Sequence, residues 1–344
     1  MCVGVYRLNY WQVAAGDASR DYSNTFLKYG VMLIGPGNHG SYLTNMDYYN
    51  EEYGWSDIKT FAEDVSKGDI VVLKRPKGQK WEVIAVGYLQ ENYDYLDFFD
   101  DVEGWNLQHC RYVNWRMPKK ERLITGLTRG TFKRVHKLSA QREIKKVVVN
   151  GIPVSSEPIP KPPRELTDED LIEYLINYGM RIKDAEDFTS TIHRIRRLIK
   201  WYYKYGKDIL EHETRAFLIL PLLLTLGWTE QQLKIEWKKL DIAFFEEPYT
   251  EENCNPDACI IILESKRLRE GFVFAETQVI QYATDYPNCH RIIVSDGCRY
   301  KLFERENDEW EYSAYLNILN PKQKHSYAPN VGGAQDVFLG LMNR

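Results

Sequence analysis

The sequence has few of the features that mark secreted, zinc-binding or membrane-spanning proteins. Six cysteines are scattered through 344 residues, with no CxxC pair and no histidine-rich cluster, which excludes an obvious disulfide framework or zinc site. No apolar run reaches the roughly 18 to 20 residues of a membrane helix. The start, MCVGVYRLNYW, lacks the charged-then-apolar layout of a signal peptide. We therefore expect a soluble protein of the reducing cytoplasm with no membrane partner.

The sequence also lacks an excess of basic charge and any nucleotide-hydrolysis motif. Its formal net charge is -4, so a nucleic-acid partner must be bound by local basic patches rather than by bulk attraction. The GPGNHG loop at 35–40 has three glycines but no following Lys-Ser or Lys-Thr pair, and it is therefore not a phosphate-binding P-loop. No ATPase or helicase motif is present, so we expect no dependence on ATP.

What the sequence does contain is an ordinary globular composition, with 44% hydrophobic and 27% charged residues. A chain of 344 residues is longer than a single hydrophobic core usually accommodates, which predicts two domains. Five prolines fall within the thirteen residues GIPVSSEPIPKPP, a pattern typical of an extended linker. We predict a domain over 1–150, a linker over 151–164, a helical connector over 165–206 and a second domain over 207–344.

The first domain is predicted to be α+β, a small barrel or strongly curved sheet, because short apolar strands alternate with glycine-rich turns. A helix is predicted over Ala18–Tyr29. The strands are predicted at Val5–Val13, Val31–Ile34, Ile70–Leu73, Trp81–Leu89 and Arg111–Trp115.

The second domain is predicted to be α/β, a mixed sheet flanked by helices. Thr167 is a candidate helix cap, and Asp296-Gly297 a candidate tight turn between the last two strands. The predicted helices are Ala185–Tyr205, Glu211–Leu226 and Phe274–Thr284, and the predicted strands are Leu240–Phe245, Cys259–Glu264, Arg291–Ser295 and Cys298–Phe303.

A pair of these strands carries the residues that suggest chemistry. The buried run IIIL ends in Glu264-Ser265-Lys266, and the two-residue period of a strand places Glu264 and Lys266 on one face. If the strand that begins KLDIAFF pairs with it in the antiparallel sense, Asp241 reaches Glu264. Two carboxylates held together repel unless a cation lies between them, and oxygen ligands suit Mg²⁺. Lys266 would then orient or deprotonate water, or stabilise a pentavalent transition state.

Two helical segments add candidates to this site. Glu213 lies at the start of a core helix, from which an acid can reach the same metal. Gln278 and Tyr282 are four residues apart, one helical turn, on the same face of another helix.

The order of these candidate residues resembles that of the PD-(D/E)xK nuclease superfamily. The order is Glu213, Asp241, Glu264-Ser265-Lys266 and Gln278-xxx-Tyr282. The phrases HETRAFLILPLLLTLGW, KLDIAFF, IIILESKR, QVIQYA and SDGCRYKLFE are similar to the nuclease domain at the N-terminus of type I restriction motor subunits, over about 208–304. The resemblance implies Asp241 and Glu264 as metal ligands, Lys266 as the catalytic lysine, Glu213 as an auxiliary acid that also faces the metal, and Gln278 with Tyr282 as a supporting site.

Alternatives remain open on the residues alone. Asp257, in the long loop between the two strands, is a second candidate for the motif acid, although Leu240-Asp241-Ile242-Ala243 has the stronger strand character. A strand-end Glu and Lys are also common as a solvated hairpin pair. Cys254 and Cys259 are expected to be inert.

The first domain, over about 3–118, resembles the EVE-like branch of the PUA superfamily through strands such as YRLNYWQVA and the turn SKGD. The resemblance implies a pocket that holds a flipped, modified base between aromatic side chains. For any single one of the candidate tryptophans, a place in the core is expected ahead of a place in the pocket. The candidates are Tyr10, Trp11, Asn38, His39, Trp55, Tyr88, Trp105 and Trp115.

The helix around 193–204 combines basic and aromatic residues. Arg194, Arg197 and Lys204 are candidates for contact with the DNA backbone, with Trp201 and Tyr202 packing inward, although a merely solvated face is as plausible.

Together these observations favour a restriction-type, modification-dependent DNA endonuclease of phage defence. It would use Mg²⁺, with Mn²⁺ as a substitute, and would act as a homodimer if it cuts both strands. The alternatives are a nuclease that acts on RNA and a non-catalytic reader of nucleic acid.

Overall fold

The structure is a computed structural model that describes residues 8–17, 19–51, 56–206, 209–328 and 330–343. The chain divides into two compact units, Met1–Pro162 and Pro163–Arg344. The division falls inside the proline-rich segment. None of the helices within the described ranges combines the length and apolar composition that a bilayer-spanning segment requires.

The first unit is built on a mixed sheet with the strand order β2-β6-β4-β3-β1-β8. β1 and β3 are parallel, and the other pairs are antiparallel. The strands are β1 (Tyr10–Ala14), β2 (Val31–Ile34), β3 (Ile70–Lys77), β4 (Lys80–Leu89), β5 (Asp94–Tyr95), β6 (His109–Met117), β7 (Leu123–Ile124), β8 (Phe132–Arg134) and β9 (Ile152–Pro153). Within the described residues β2 and β8 are the ends of this path. The unit is therefore a mixed α/β structure with a curled sheet.

Four α-helices lie within the described residues of this unit, and the last of them covers one face of the sheet. They are α1 (Ser23–Tyr29), α2 (Met46–Glu51), α3 (Ser56–Glu63) and α4 (Leu138–Asn150). Ile144 and Val147 of α4 pack against Val72 and Val86 of the sheet, and all four are buried. This burial of apolar surface explains why the basic stretch before the linker folds as a helix.

The helix predicted over Ala18–Tyr29 begins later, at Ser23. Gly16 and Asp21 form a bridge that closes a turn. The Asp21 carboxylate then accepts hydrogen bonds from the backbone N–H of Ser23, at 3.0 Å, and from its hydroxyl, at 2.6 Å. An acidic side chain that accepts from the backbone in this way starts a helix and also ends the preceding coil.

The first part of the predicted linker is paired with the first unit. β9 pairs with Arg116 and Met117 of β6. The backbone N–H of Glu157 donates to the carbonyl of Lys28 at 2.7 Å. The prolines end these contacts, since they carry no donor.

The second unit is an α/β structure on a six-stranded sheet whose strands follow chain order, β10 to β15. The strands are β10 (Leu233–Trp237), β11 (Leu240–Phe245), β12 (Cys259–Ser265), β13 (Arg291–Ser295), β14 (Arg299–Glu306) and β15 (Glu309–Asn317). β12 and β13 are parallel and the remaining neighbours are antiparallel. Asp296 and Gly297 form the predicted turn between β13 and β14, with Gly297 at φ +78°.

Helices cover both faces of this sheet. The helices are α5 (Asp168–Asn177), α6 (Ile182–Tyr205), α7 (Glu211–Thr214), α8 (Leu220–Thr225), α9 (Val273–Ala283) and α10 (Ala334–Leu341). α5, α6, α8 and α10 contribute to one core, while α9 packs in the core on the other face. The segment predicted as a separate connector, 165–206, thus contributes buried side chains to this unit. Its first helix has the expected cap, since the N–H of Asp170 donates to Oγ1 of Thr167 at 3.2 Å.

Candidate active site

The ends of β11 and β12 bring two carboxylates together. Ile242 pairs with Leu263 in the antiparallel register, so Asp241 lies opposite Glu264, and opposite residues of an antiparallel pair point to the same face. Burial raises the pKa of Glu264 above its ordinary value, and the charge of Asp241 raises it further, while a hydrogen bond from Lys266 opposes the shift. The antiparallel pairing on which the sequence argument depended is present.

Lys266 forms an ion pair with Glu264 inside this site. Its Nζ donates to Oε1 of Glu264 at 2.6 Å, and the Glu264 side chain is only 5% exposed. Burial works against the charged amine, but the hydrogen bond and charge of Glu264 outweigh it and raise the pKa of Lys266. The backbone N–H of Lys266 donates to the carbonyl of Ser295 at 2.8 Å, so the lysine is fixed to the neighbouring strand β13.

Asp241 is oriented by hydrogen bonds to both of its oxygens. Oδ2 accepts from the backbone N–H of Ser265 at 2.7 Å and from the Ser265 hydroxyl at 2.8 Å. Oδ1 accepts from the guanidinium of Arg215. A carboxylate held at both oxygens has a defined direction, which is a requirement for ordered chemistry.

Arg215 links four groups of the site and is a residue that the sequence argument missed. Besides Asp241, its guanidinium donates to Glu236 at 2.7 Å and to the hydroxyl of Ser265 at 3.3 Å, and it lies 3.5 Å from a carboxylate oxygen of Glu211. Arg215 is itself buried. The available signal was the spacing of Glu211 and Arg215, since an acid and an arginine four residues apart meet on one helical face.

Glu211, and not Glu213, faces the other carboxylates. After burial, which raises the pKa of Glu211, the largest influences on it are the charges of Lys266 and Asp241. Glu213 instead accepts a hydrogen bond from the backbone N–H of Leu210 at 2.9 Å and closes the helix start. Two residues along a helix correspond to a rotation of about 200°, so the two acids point in different directions. Of the two acids at this helix start, Glu211 is therefore the one whose charge acts together with those of Asp241 and Lys266, and Glu213, the expected acid, is turned away.

The helix that carries Arg215 has an unusual local geometry with a clear cause. Residues Arg215–Ile219 form a π-helical turn between α7 and α8. Pro221 follows in the first turn of α8, and because it has no N–H it cannot donate to the carbonyl of Phe217 four residues earlier. That carbonyl instead accepts from the guanidinium of Arg194, at 3.4 Å. Arg194 thus satisfies a backbone group that the proline leaves without its helical donor.

Gln278 and Tyr282 contact each other, as their spacing predicted. Nε2 of Gln278 donates to the Tyr282 hydroxyl at 2.8 Å, on an exposed part of α9. Nζ of Lys239 lies 5.6 Å from the centre of the Tyr282 ring. Since Lys239 is two residues before Asp241, this face of α9 lies near the start of β11. The described contacts do not join Gln278 or Tyr282 to the carboxylates themselves.

Asp257 lies outside the site. It belongs to a short 3₁₀ turn, Pro256–Ala258, just before β12, whereas Glu264 is at the far end of that strand. At about 3.3 Å per residue the separation along the strand is roughly 20 Å. Asp241 is the acid that faces Glu264.

A hard cation fits the chemistry of these donors. The charge of Asp241 acts to raise the pKa of both Glu211 and Glu264, and carboxylate oxygens are the ligands that Mg²⁺ prefers. In the described ranges, however, no group of three His, Cys, Asp or Glu side chains is close enough to hold a metal ion. The carboxylates are met there by the chain's own cations, Arg215 and Lys266.

Two of the base-pocket candidates in the first unit are core residues. Trp11 is 2% exposed, donates from Nε1 to Asp69 at 2.8 Å and stacks on Phe132. Trp115 is 1% exposed and donates from Nε1 to the carbonyl of Val31 at 3.1 Å. Their indole N–H groups are satisfied inside the protein, so the prediction that they line a base pocket is wrong.

The remaining candidates lie in three places. Tyr10 and Tyr88 are neighbours across β3, because both pair with Ile70. His39 is 3.2 Å from the Tyr48 hydroxyl, next to the exposed Asn38. The half-buried ring of Trp105 lies 4.8 Å below the guanidinium of Arg20. Trp55 lies outside the described residues.

The sequence argument also missed a buried histidine under the Gly35–Gly40 loop. Nε2 of His109 lies 3.0 Å from the carbonyl of Pro36, and Nδ1 lies 2.7 Å from the Tyr93 hydroxyl. A carbonyl only accepts, so Nε2 carries the proton and Nδ1 accepts from Tyr93. Burial lowers the pKa of His109 to about 4. The histidine is therefore a neutral structural support for the loop.

On α6, Arg194, Arg197 and Lys204 are exposed as predicted, but Trp201 does not pack inward. Its side chain is 46% exposed, while Tyr202 is partly buried against the core.

One family model matches part of the first unit. The family described as "Domain of unknown function (DUF8426)" matches residues 11–139, within the first unit. No curated protein matches the sequence.

Proposed function

We propose that the chain is a modification-dependent DNA endonuclease, in which the second unit hydrolyses phosphodiester bonds with a divalent cation and the first unit reads a modified base. The observation that carries this proposal is the convergence of Asp241, Glu264 and Lys266 at the end of two paired strands. A resemblance to PD-(D/E)xK nucleases implies the same three residue types in the same order.

The chain's own residues suit this chemistry in distinct ways. Asp241 and Glu264 would hold the metal, with Glu211 beside them. Magnesium, when bound, would acidify a water molecule and offset the charge on the phosphate. Ser265 fixes the direction of the Asp241 carboxylate. Lys266, a cation beside these acids, would stabilise the negative charge that develops on the phosphate in the transition state.

Supercoiled plasmid DNA with and without modified cytosines tests the proposal, in buffers with Mg²⁺, with Mn²⁺ and with EDTA. We expect cleavage that requires the metal and is greater on modified DNA. Asp241→Asn and Lys266→Ala should each lower the rate at least a hundredfold, since each removes a group that acts on the reacting phosphate. Undiminished cleavage by both variants would remove the site assignment.

The two acids at the helix start supply a matched pair of variants. Glu211→Gln removes a charge that faces Asp241, and we expect a loss of cleavage. Glu213→Gln keeps an oxygen that can accept from the N–H of Leu210, and we expect cleavage close to that of the native chain. The opposite result would return the role to Glu213.

Parallel assays distinguish the proposed function from the two alternatives, a nuclease that acts on RNA and a non-catalytic reader. Cleavage of RNA in preference to DNA would make the substrate RNA, and binding without cleavage of either would indicate a non-catalytic reader. A cut in both strands requires two active sites, and sedimentation of the protein with DNA would show whether a homodimer supplies them.

For the first unit, we propose that a flipped base packs against one of the aromatic groups that are exposed or half-buried. Tyr88→Ala, His39→Ala and Trp105→Ala each remove a group from one of the three places described above. The variant that abolishes the preference for modified DNA, while leaving cleavage of unmodified DNA intact, identifies the reading site.

A further inference from the structure

Helix α6 exposes a continuous stripe of cations and aromatic rings. Its buried side is formed by Phe188, Ile192, Ile195 and Ile199. At 3.6 residues per turn the opposite side contains Arg194, Arg197, Trp201, Lys204 and Tyr205, and all five are exposed. We call these five residues the α6 stripe.

The two rings of the α6 stripe lie side by side. Trp201 and Tyr205 are one helical turn apart, with ring centroids at 5.3 Å and an interplanar angle of 49°. They are 46% and 59% exposed. Nζ of Lys204 lies 5.4 Å from the centre of the Tyr205 ring. Large rings on a polar helix face are the kind of exposed apolar surface that marks a binding site.

The charged side chains of this part of α6 are all basic, although Arg196 is paired with Asp168. From His193 to Tyr205 the sequence contains five Arg and Lys residues and no Asp or Glu, although the whole chain carries a net charge of -4. The helix therefore concentrates positive charge against the balance of the protein, which indicates a polyanionic partner.

Contacts at two points of α6 connect the stripe to the candidate active site within the second unit. Arg194 donates to Phe217 in the π-helical turn that begins with Arg215. The guanidinium of Arg269 lies 4.0 Å from the Tyr203 ring, and Arg269 is three residues after Lys266. The helix is thus packed against both segments that carry the site.

We infer that the α6 stripe binds single-stranded nucleic acid, with unpaired bases stacked on Trp201 and Tyr205 and phosphates held by Arg197 and Lys204. This inference rests on the proposed function in that it names the form of its substrate. Bases within a duplex already stack on each other, so an exposed ring can stack only on a base that has left the helix. Stacking on an aromatic side chain contributes about 1–3 kcal/mol per base.

Fluorescence anisotropy of labelled 20-nucleotide single strands and of the matching duplex tests the inference, with EDTA present so that no cleavage occurs. We expect Trp201→Ala/Tyr205→Ala to weaken single-strand binding at least tenfold and to leave duplex binding unchanged. Trp201→Phe/Tyr205→Phe keeps two rings and should retain most of the affinity. Phe274→Ala removes a ring of α9 that is more exposed than either, at 66%, and should have no effect.

The salt dependence of binding distinguishes the contribution of the aromatic rings from that of the cationic side chains. Arg197→Gln/Lys204→Gln should lower the slope of log affinity against log salt by about 1.4, since each phosphate contact on a single strand contributes about 0.7. The alanine pair at Trp201 and Tyr205 should leave that slope unchanged.

Two results would overturn the inference: native affinity in the alanine pair, or no single-strand binding at low salt. Neither depends on catalysis. Stacking-dependent binding without any cleavage would refute the nuclease proposal and keep the α6 stripe. Cleavage by the native chain, together with unaltered single-strand binding in Trp201→Ala/Tyr205→Ala, would keep the nuclease proposal and refute the role of the α6 stripe.

Discussion

The ion pair between Arg215 and Asp241 should couple stability to the divalent cation, and a double-mutant cycle can measure this. In Arg215→Gln, Asp241 keeps the two hydrogen bonds from Ser265 but loses its cation. Breaking a buried ion pair typically destabilises by about 3–5 kcal/mol. The Asp241 side chain is 17% exposed, so water reaches it, and we expect the lower value of about 2–3 kcal/mol for this variant.

Asp241→Asn should destabilise by a similar amount, because it removes from Arg215 the more buried of its two closest carboxylate partners, Asp241 and Glu236. In the double variant both members of the Arg215–Asp241 pair are absent, so neither leaves the other unpaired, and the combined loss should be smaller than the sum by about 1–2 kcal/mol. The matched control is the pair of Arg196 and Asp168, whose atoms are 2.6 Å apart but whose side chains are more exposed. Its coupling should be under about 1 kcal/mol.

Native-state hydrogen exchange of the β11 and β12 amides is the suitable assay, since it reports on this sheet whatever the first unit does. Addition of Mg²⁺ should stabilise Arg215→Gln more than the native chain, because the variant leaves the carboxylates without their guanidinium. An ion present at 100 times its dissociation constant stabilises by about 2.7 kcal/mol. Additive single losses within about 0.5 kcal/mol, or equal effects of Mg²⁺ on the two proteins, would refute the reasoning.

Three further outcomes follow from single contacts. The lowered pKa of His109, about 4 against 6.5, means that its contribution to stability is present above pH 6.5 and is lost as the pH falls towards 4. His109→Gln should remove about 3 kcal/mol of that acid dependence in urea titrations. Gly297→Ala should destabilise by about 2–4 kcal/mol, since φ is +78° and a Cβ would lie 2.5 Å from Cβ of Leu218. Thr167→Ala should lower stability by about 1 kcal/mol by removal of the helix cap.

Each outcome has a result that contradicts it. An unchanged acid slope in His109→Gln would assign the pH dependence to other groups. A Gly297→Ala variant as stable as the native chain would show that the turn and Leu218 adjust freely. Thr167→Ser keeps the capping hydroxyl, and a loss equal to that of Thr167→Ala would argue against the cap.

The residues that the sequence placed correctly are those governed by strand periodicity. Asp241, Glu264 and Lys266 belong to two adjacent apolar runs, and a two-residue period with antiparallel pairing is enough to bring them together. The Gln278 and Tyr282 contact follows in the same way from one helical turn. Such periodicity rules involve only a few neighbouring residues, so they can be applied to the sequence without knowledge of the tertiary structure.

The misplaced residues depend on features that no local rule supplies. The choice between Glu211 and Glu213 depends on the rotation of a helix, which is set by its packing and by the π-helical turn. Two tryptophans show the same limitation. Trp11 was expected to line a pocket but is buried in the core with its N–H satisfied, and Trp201 was expected to pack inward but is exposed at the surface. Aromatic content alone does not distinguish a pocket from a core.

The π-helical turn ahead of Pro221 sets the rotation, about the helix axis, of the residues before it relative to the residues after it. A π turn holds one residue more than an α turn, and each residue of a regular helix adds about 100° of rotation. Deletion of Ala216 would return the segment to ordinary winding and turn everything before it by that angle. Glu211 and Arg215 would then point away from the sheet while Leu222, Leu223 and Leu226 stayed in the core. A single inserted residue thus sets the direction in which the polar half of this helix faces, independently of its apolar half.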